Sequence, residues 1–323
     1  MKILITGAAG FIGFHLALML TKSKKNKVYG IDNLNNYYDI KLKKDRLKVL
    51  KCNKNFFFEK IDISYKKKLN ELFKKNKFDY VVNLAAQAGV RYSINNPNTY
   101  FQSNVLGFFN ILDCCKEYHI KHLLFASTSS VYGNSNKKSN KEFHNTSEPL
   151  SFYAATKKTN EVLAYSYSNI HNISITGMRF FTVYGPFGRP DMALYKFANN
   201  INKNKIIKLF NNGNHNRDFT YIDDVVEAIN LLIKKPSKGK IPFRILNVGN
   251  SKSISLKKFV NIIEKNIGKK AKKKNVNMQL GDVKSTKSNI SLLYSIINYK
   301  PKTNIEKGIR IFLKWFDEYY KIK

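Results

Sequence analysis

Cysteine and acidic residues are scarce in this chain, and long apolar runs are missing. Of its 323 residues only three are cysteine, Cys52, Cys114 and Cys115. Two are adjacent and the count is odd, which argues against a disulfide framework and fits no metal-ligand spacing. A reducing, cytoplasmic setting and no metal are therefore expected. No internal repeat and no linker rich in Pro, Gly or Ser breaks the chain. No segment approaches the ~18 continuous apolar residues of a membrane span. The N-terminal MKILITGAAGFIGFHLALML superficially resembles a signal peptide, but it contains three glycines and His15, and no small-x-small cleavage site follows. No membrane attachment is expected.

Acids number 22 against 57 Lys plus Arg, a net charge of +35. Such a field attracts nucleic acid non-specifically. The lysines, however, are scattered through KSKKNK, KLKKDRLK, YKKK and KKAKKK, without the clustered bases and interleaved aromatics of a nucleic-acid groove. They read as a solvated face, so no specific nucleic-acid partner is expected, although a phosphate-bearing small substrate would benefit from the field. Core material is plentiful. Hydrophobic residues make up 43% and aromatics 13%, enough for one large domain or two unequal ones.

Strand-like and helical runs alternate through the first half. KILIT, KVYGID, FFFEKID, YVVNLAA, HLLFAS and ISITGMRF read as strands. Between them GFHLALMLTK, KKLNELFKKN, TYFQSNVLGFFNILDCCKEY and YAATKKTNEVLAYSYSNI read as helices. Alternation of this kind predicts βαβ units and a parallel sheet covered on both faces. After Phe181 the pattern loosens. DDVVEAINLLIKK and RILNVGN add a helix and a strand, and the remainder reads as helical with little strand.

KILITGAAGFIG places Gly7, Gly10 and Gly13 between the first strand and the first helix. Gly7 permits a tight turn, Gly10 lets a pyrophosphate approach the backbone, and Gly13 lets helix and strand pack closely. Asp32 ends the second strand, nineteen positions beyond Gly13. Its carboxylate there accepts the ribose hydroxyls of an adenosine and repels a 2′-phosphate; no Arg follows at once, so NAD is favoured over NADP. Asp62, ending the third strand, is placed for the adenine amine. The fold class expected is α/β, a Rossmann-type doubly wound parallel sheet with a smaller, mainly helical C-terminal substrate lobe. The nucleotide domain is read as residues 1–180 plus 217–250 and the lobe as 181–216 plus 251–323.

SFYAATKK carries Tyr153 and Lys157, an i,i+4 pair on one helix face. An unperturbed tyrosine with a pKa of ~10 is a poor base, but a neighbouring ammonium and a cationic nicotinamide favour the phenolate. Thr128 stands twenty-five residues earlier, at the tip of a neighbouring strand. Hydroxyl, phenol and ammonium would form one proton-handling unit beside a hydride acceptor. The stretch STSSVYG around Thr128 is unusually rich in hydroxyls. It reads either as a capped turn or as a neutral hydrogen-bonding wall.

Gly7-x-x-Gly10-x-x-Gly13, NLAA (Asn83 to Ala86), STSSVYG and Tyr153-x-x-x-Lys157 together resemble the extended short-chain dehydrogenase/reductase family. Longer stretches, GIDNLNNYYDIKLKKDRL, AAQAGVRYSINNP, RFFTVYGPFGRPDMALYKF and RDFTYIDDVVE, resemble its UDP-glucuronate 4-epimerases. The likeness covers nearly the whole chain and thins at GDVKSTKSNI, where Lys287, Ser288 and Asn289 replace a usual Ala-Asp pair. The resemblance implies reversible oxidation of a UDP-sugar at C4, with bound NAD as the hydride carrier. Tyr153 would take the O4 proton and Thr128 would bond the same oxygen. It also implies that Phe11 and Ile12 in the glycine turn, Asn33, Ile63, Leu84, Ala85, Ala86 and Asn104 hold the dinucleotide. Arg217 and Arg189 become candidate diphosphate ligands, with Arg91 a further candidate for the substrate.

Related dehydratases carry Thr-Asp-Glu where this chain has Thr128-Ser129-Ser130, and related decarboxylases have Glu at Ser130. Serines supply neither acid nor base for elimination. Ser129, Ser130 and Thr182 instead suit a glucuronate carboxylate. The other readings are a UDP-glucose or UDP-N-acetylglucosamine 4-epimerase, which differs only around C5, and a non-catalytic NAD-sensing protein, which would have been expected to lose Tyr153 or Lys157. By the same resemblance, TYFQSNVLGFFNILDCC and the Tyr153 helix would pair two copies into a homodimer.

Overall fold

The computed structural model describes residues 1–135 and 137–322. Strands β1 (Lys2–Thr6), β2 (Lys27–Asp32), β3 (Phe56–Lys60), β4 (Tyr80–Asn83), β5 (His122–Thr128) and β6 (Ile175–Phe180) fall where the β-branched and aromatic runs predict them. β7 (Thr182–Tyr184), β8 (Ile207–Phe210), β9 (Asn216–Tyr221), β10 (Phe243–Val248), β11 (Ser253–Ser255) and β12 (Lys273–Val276) follow. Seven of these strands form one sheet in the order β3-β2-β1-β4-β5-β6-β10, every neighbouring pair parallel. The chain runs outward from β1 to β3, then crosses back so that β4 lies on β1's other side. The reversal opens a crevice beyond the carboxyl ends of β1 and β4, where ligands bind in such sheets.

Alternation along β1 shows why both faces are covered. Ile3 and Ile5 join one apolar cluster and Leu4 the other. The first face carries Phe14 and Leu16 from helix Phe11–Thr21 and Val225 and Ile229 from helix Ile222–Ile233. The second carries Leu69 and Phe73 from Lys66–Asn76, Phe108 and Ile111 from Gly107–Glu117, and Ala164 from Phe152–His171. The adjacent Cys114 and Cys115 are buried free thiols on this face.

Three features depart from the sequence pattern. Helix Ile40–Lys51 is masked by its lysines, yet it buries Leu42, Leu47, Leu50 and the whole of Arg46. The helix expected through TYFQSNVLGFF is broken by a π-helical turn, Phe101–Leu106. The chain after Phe181 holds more strand than expected: β7, β9 and β11 form a three-stranded sheet, and β8 pairs with β12. β7 and β11 are only three residues long and β8 and β12 four, too brief for a sustained alternation to show in the sequence.

The first-face cluster continues without a break into the lobe through Phe197, Phe259, Ile263, Phe312 and Phe316. The Phe219 and Phe259 rings stack with centroids 4.3 Å apart, fastening β9 to helix Leu256–Ile267. Among the described residues no helix is long and apolar enough to cross a membrane. Phe259→Ala is expected to cost ~3–5 kcal/mol, the usual range for a buried phenylalanine, read as a lower midpoint in denaturant unfolding with unchanged slope.

Candidate active site

The glycine turn is shaped by close backbone approach. Gly7 has φ +71°, and a Cβ there would lie 2.8 Å from the Ala85 nitrogen. A Cβ on Gly13 would lie 2.2 Å from the Gly7 carbonyl oxygen, so any side chain would part helix from strand. Gly10 donates its N–H to that same carbonyl at 2.9 Å and opens helix Phe11–Thr21, which has no side-chain cap and no acid in its first turn. The helix start thus leaves donors and a positive dipole end for a phosphate. Across the crevice Thr6 donates to Asn83 at 2.6 Å and accepts from the Ala85 N–H at 3.0 Å, setting the course of Leu84, Ala85 and Ala86.

One cavity of about 360 Å³ runs along these strand ends. Its wall includes Gly7, Gly10, Phe11, Ile12, Gly13, Asp32, Asn33, Asp62, Ile63, Leu84, Ala85 and Ala86, and at its other end Thr128, Ser129, Ser130, Tyr153, Lys157, Thr182 and Arg189. Asn104 is not on the wall. It is buried behind it, where its side chain bonds the Gln87 backbone N–H and C=O at 2.8 and 3.0 Å and the Thr156 hydroxyl at 3.1 Å.

Burial pushes the Asp32 carboxyl up, while Lys43 and the N–H groups of Leu34 and Ala9 pull it back. Lys43 is a cation that no spacing rule revealed, held by Asn35 Oδ1 and the Asn35 carbonyl at 2.8 and 2.9 Å. For Asp62 burial also acts upward, but donors from Asn33 (2.7 Å) and Ser64 (2.9 and 2.8 Å) outweigh it and hold the carboxyl below its usual range. The glycine cradle, the helix start and Asp32 together fit the phosphates and adenosine ribose of a dinucleotide.

At the other end Thr128 caps the short turn Ser129–Tyr132, accepting the Ser130 N–H at 3.2 Å. Its hydroxyl lies 3.3 Å from the Ser130 hydroxyl. Ser129 and Thr182 have no hydrogen-bond partner for their hydroxyls among the described residues. Ser127, the first hydroxyl of the run, also borders the cavity but donates its hydroxyl to Glu161 at 2.6 Å. Arg179 grips the same carboxylate through Nε and Nη2 at 2.8 and 2.7 Å, and all three side chains are buried. Glu161 follows Lys157 by one further turn of the same helix, and sequence reasoning missed it.

Lys157 is buried and donates to the Ala126 carbonyl at 2.9 Å; desolvation brings its pKa down to about 8. Burial raises the Tyr153 phenol, against which the Arg189 guanidinium and the Thr128 hydroxyl act. The cation drawing this phenol down is therefore Arg189, from the loop after β7, and not Lys157, the helical neighbour that the spacing suggests, whose own bond goes to the Ala126 carbonyl. Arg189 itself is paired to Asp191 at 2.9 and 2.5 Å.

Arg217 and Arg91 stand outside the cavity wall and converge on Asp282, at 3.2 and 3.9 Å. A Cβ on Gly281, next to that aspartate, would lie 3.0 Å from Val90 on the wall, so the pair borders the site. The departure at Lys287–Asn289 is built into the fold: Ser288 donates its hydroxyl and N–H to buried Asp218 at 2.6 and 2.9 Å.

A glycine cradle at a sheet's switch point, an acid at the end of the second strand and a Tyr–Lys pair on one helix face fit a dinucleotide-binding enzyme of the short-chain dehydrogenase/reductase type. The chain belongs to the NAD dependent epimerase/dehydratase family, whose model matches residues 3–249. It is 47% identical over 335 residues to a Staphylococcus aureus protein named CapI, spanning 99% of this chain and 100% of that one. Identity to UDP-glucuronate 4-epimerase 4 of Arabidopsis thaliana is 42% over 332 residues, 98% of this chain and 76% of the relative. Among solved structures, UDP-glucuronic acid 4-epimerase of Bacillus cereus, in complex with UDP-glucuronic acid and NAD, matches with a TM-score of 0.93 at 33% identity, covering 99% of this chain and 100% of that one. UDP-glucose 4-epimerase of Thermotoga maritima, with UDP-glucose, matches at 0.89 and 25% identity, covering 99% and 100%. The protein is an NAD-dependent sugar-nucleotide epimerase.

Asp32→Ala is expected to weaken NAD binding by roughly tenfold or more, since a charged hydrogen-bond acceptor is worth ~1.5–3 kcal/mol. NADP, freed from repulsion and met by Lys43, should lose less or gain. Titration of both nucleotides into apo-protein reads the ratio; an unchanged ratio would remove Asp32 from this role.

Proposed function

We propose that the protein interconverts UDP-glucuronate and UDP-galacturonate by epimerisation at C4. The observation that carries this reading is the character of the cavity's sugar end. Ser129, Ser130 and Thr182 present neutral hydroxyls there beside the Arg189 cation, whereas Asp32 ends β2 and Asp62 lies two residues beyond β3. Neutral donors hold a carboxylate without repelling it, and a glucose CH₂OH would leave them underused. The likeness to proteins named UDP-glucuronate 4-epimerase supports the same substrate.

NAD, when bound, supplies the hydride acceptor and returns the hydride. Tyr153 as phenolate takes the O4 proton and later gives it back, while Thr128 bonds that oxygen and steadies its charge. Lys157, buried with one acceptor in the protein, has further N–H donors for the nicotinamide ribose. The intermediate 4-keto glucuronate is a β-keto acid prone to losing CO₂, so its carboxylate has to be gripped by groups that do not drive that loss. Ser129, Ser130 and Thr182 do this, and Arg189 adds the Nη1 that Asp191 leaves unbonded. Arg217 and Arg91 take the diphosphate at the mouth by exchanging part of their attraction to Asp282 for phosphate oxygens.

The same reading pairs two copies through helices Gly107–Glu117 and Phe152–His171. Phe109, Val162, Tyr165 and Ile170 on these helices, with Phe101 just before the first, are exposed apolar side chains. Sedimentation equilibrium should return twice the chain mass, and Val162→Glu with Tyr165→Glu should return a monomer.

Product analysis by NMR after incubation with UDP-glucuronate, UDP-glucose and UDP-N-acetylglucosamine tests the substrate. Turnover chiefly of UDP-glucose or UDP-N-acetylglucosamine would replace this reading with the neutral-sugar one. Ser130→Glu should weaken UDP-glucuronate binding at least about tenfold, since it turns a favourable charge-assisted bond worth ~1.5–3 kcal/mol into repulsion. Residual turnover should release more CO₂, and UDP-glucose should be affected much less. Equal losses for both sugars would mean that these hydroxyls only cap the turn.

A further inference from the structure

The loop that leaves Asp32 is stiffened by three successive side chain to backbone bonds. Asp32 Oδ1 accepts the Leu34 N–H at 2.8 Å, Asn33 Oδ1 the Asn35 N–H at 3.1 Å, and Asn35 Oδ1 the Tyr37 N–H at 3.4 Å. Lys43 clamps Asn35 from the following helix. The ladder delivers the Tyr37 hydroxyl to Asp191 Oδ2 at 3.1 Å, a contact between residues 154 apart in sequence. Gly89 makes room for it: at φ +103°, a Cβ there would lie 2.3 Å from the Tyr37 hydroxyl oxygen. The same aspartate holds Arg189 through two bonds, and Arg189 and Tyr153 share the sugar end of the cavity.

We propose that Tyr37 and Asp191 are positioning residues, a latch that ties the nucleotide-side loop after Asp32 to the Arg189 guanidinium and fixes that guanidinium beside Tyr153. The proposal rests on the acid–base role of Tyr153 given above. Tyr37 carries no charge at working pH, burial and Asp191 raising its phenol to about 12, so its part is steric and directional. Asp191 remains a carboxylate, burial being outweighed by Arg189 and Tyr37.

The sign of the effect follows from Coulomb's law. A fixed cation near Tyr153 favours phenolate, so loosening Arg189 raises the pH needed to deprotonate Tyr153. The other groups facing the cluster are Lys157 on Tyr153's own helix, Tyr100 against the Tyr153 ring at 6.1 Å, and Lys43 and Lys196, both of which feel Arg189. Of these, Tyr100 also feels the Tyr37 phenol, but both phenols stay neutral over the working range, being raised well above it.

The test is the pH profile of kcat/KM for the NAD-loaded enzyme and its Tyr37→Phe and Asp191→Asn variants. In Tyr37→Phe the acidic limb should move up by roughly half a unit to one unit. Below the limb that is a loss of roughly three- to tenfold, recovered at higher pH. Asp191→Asn should move the limb the same way. A downward shift in Asp191→Asn would mean that the carboxylate merely screens Arg189, and would overturn the latch. An unmoved limb in Tyr37→Phe, or a loss equal at every pH, would overturn it too. Tyr153→Phe serves as the control for the underlying reading: turnover retained there removes Tyr153 as the base, a failure distinct from a limb that stays in place.

Discussion

The chemistry of this site depends on how helix Phe152–His171 is fastened to β5. Two adjacent residues of the strand do it. The Ala126 carbonyl accepts Lys157, and the Ser127 hydroxyl reaches Glu161 one turn further along. Arg179 on β6 neutralises Glu161 with two parallel bonds. A buried carboxylate without such a partner would be strongly destabilising. With it, three elements lock at one point, and Thr128, the next residue of the strand, takes a defined place opposite Tyr153.

Electrostatics at the sugar end follows from that lock. Tyr153 and Lys157 are both penalised by burial, which disfavours phenolate and ammonium alike. Two buried groups that each resist their charged form are an expensive starting point for proton transfer. Arg189 offsets part of the cost for the phenol, and it in turn needs Asp191 to be tolerated where it is. The hydroxyl run answers two demands at once: Thr128 caps the turn, while Ser129 and Thr182 line the cavity with hydroxyls that no described residue bonds. A capped turn and a substrate wall are thus compatible uses of one stretch.

The nucleotide end is simpler because it is made largely of backbone. Glycines at 7 and 13 allow contacts at distances no Cβ could share, and the donors left at the helix start need no side chain to place them. The large positive charge of the chain lies mainly elsewhere. Exposed lysines such as Lys121, paired to Asp79 at 2.7 Å, add little stability in water.

Local chemistry was legible in the sequence by itself. Strand, glycine turn and helix are contiguous, Asp32 ends the next strand, and Tyr153 and Lys157 share a face because 3.6 residues make a turn. Short-range rules therefore exposed the fold class, the cradle and the Tyr–Lys pair. The lysines of helix Ile40–Lys51 hid its apolar face, and the brief strands of the lobe left no period to read. Pairings across the chain were decided only by tertiary structure: Ser127 with Glu161, Arg217 with Asp282, Tyr37 with Asp191, separated by 34, 65 and 154 residues. Nothing local encodes such partners. Each is chosen when sheet order and helix packing bring two distant side chains together at a point wholly or partly shielded from water, where leaving a polar group unpaired would cost more than holding both in place.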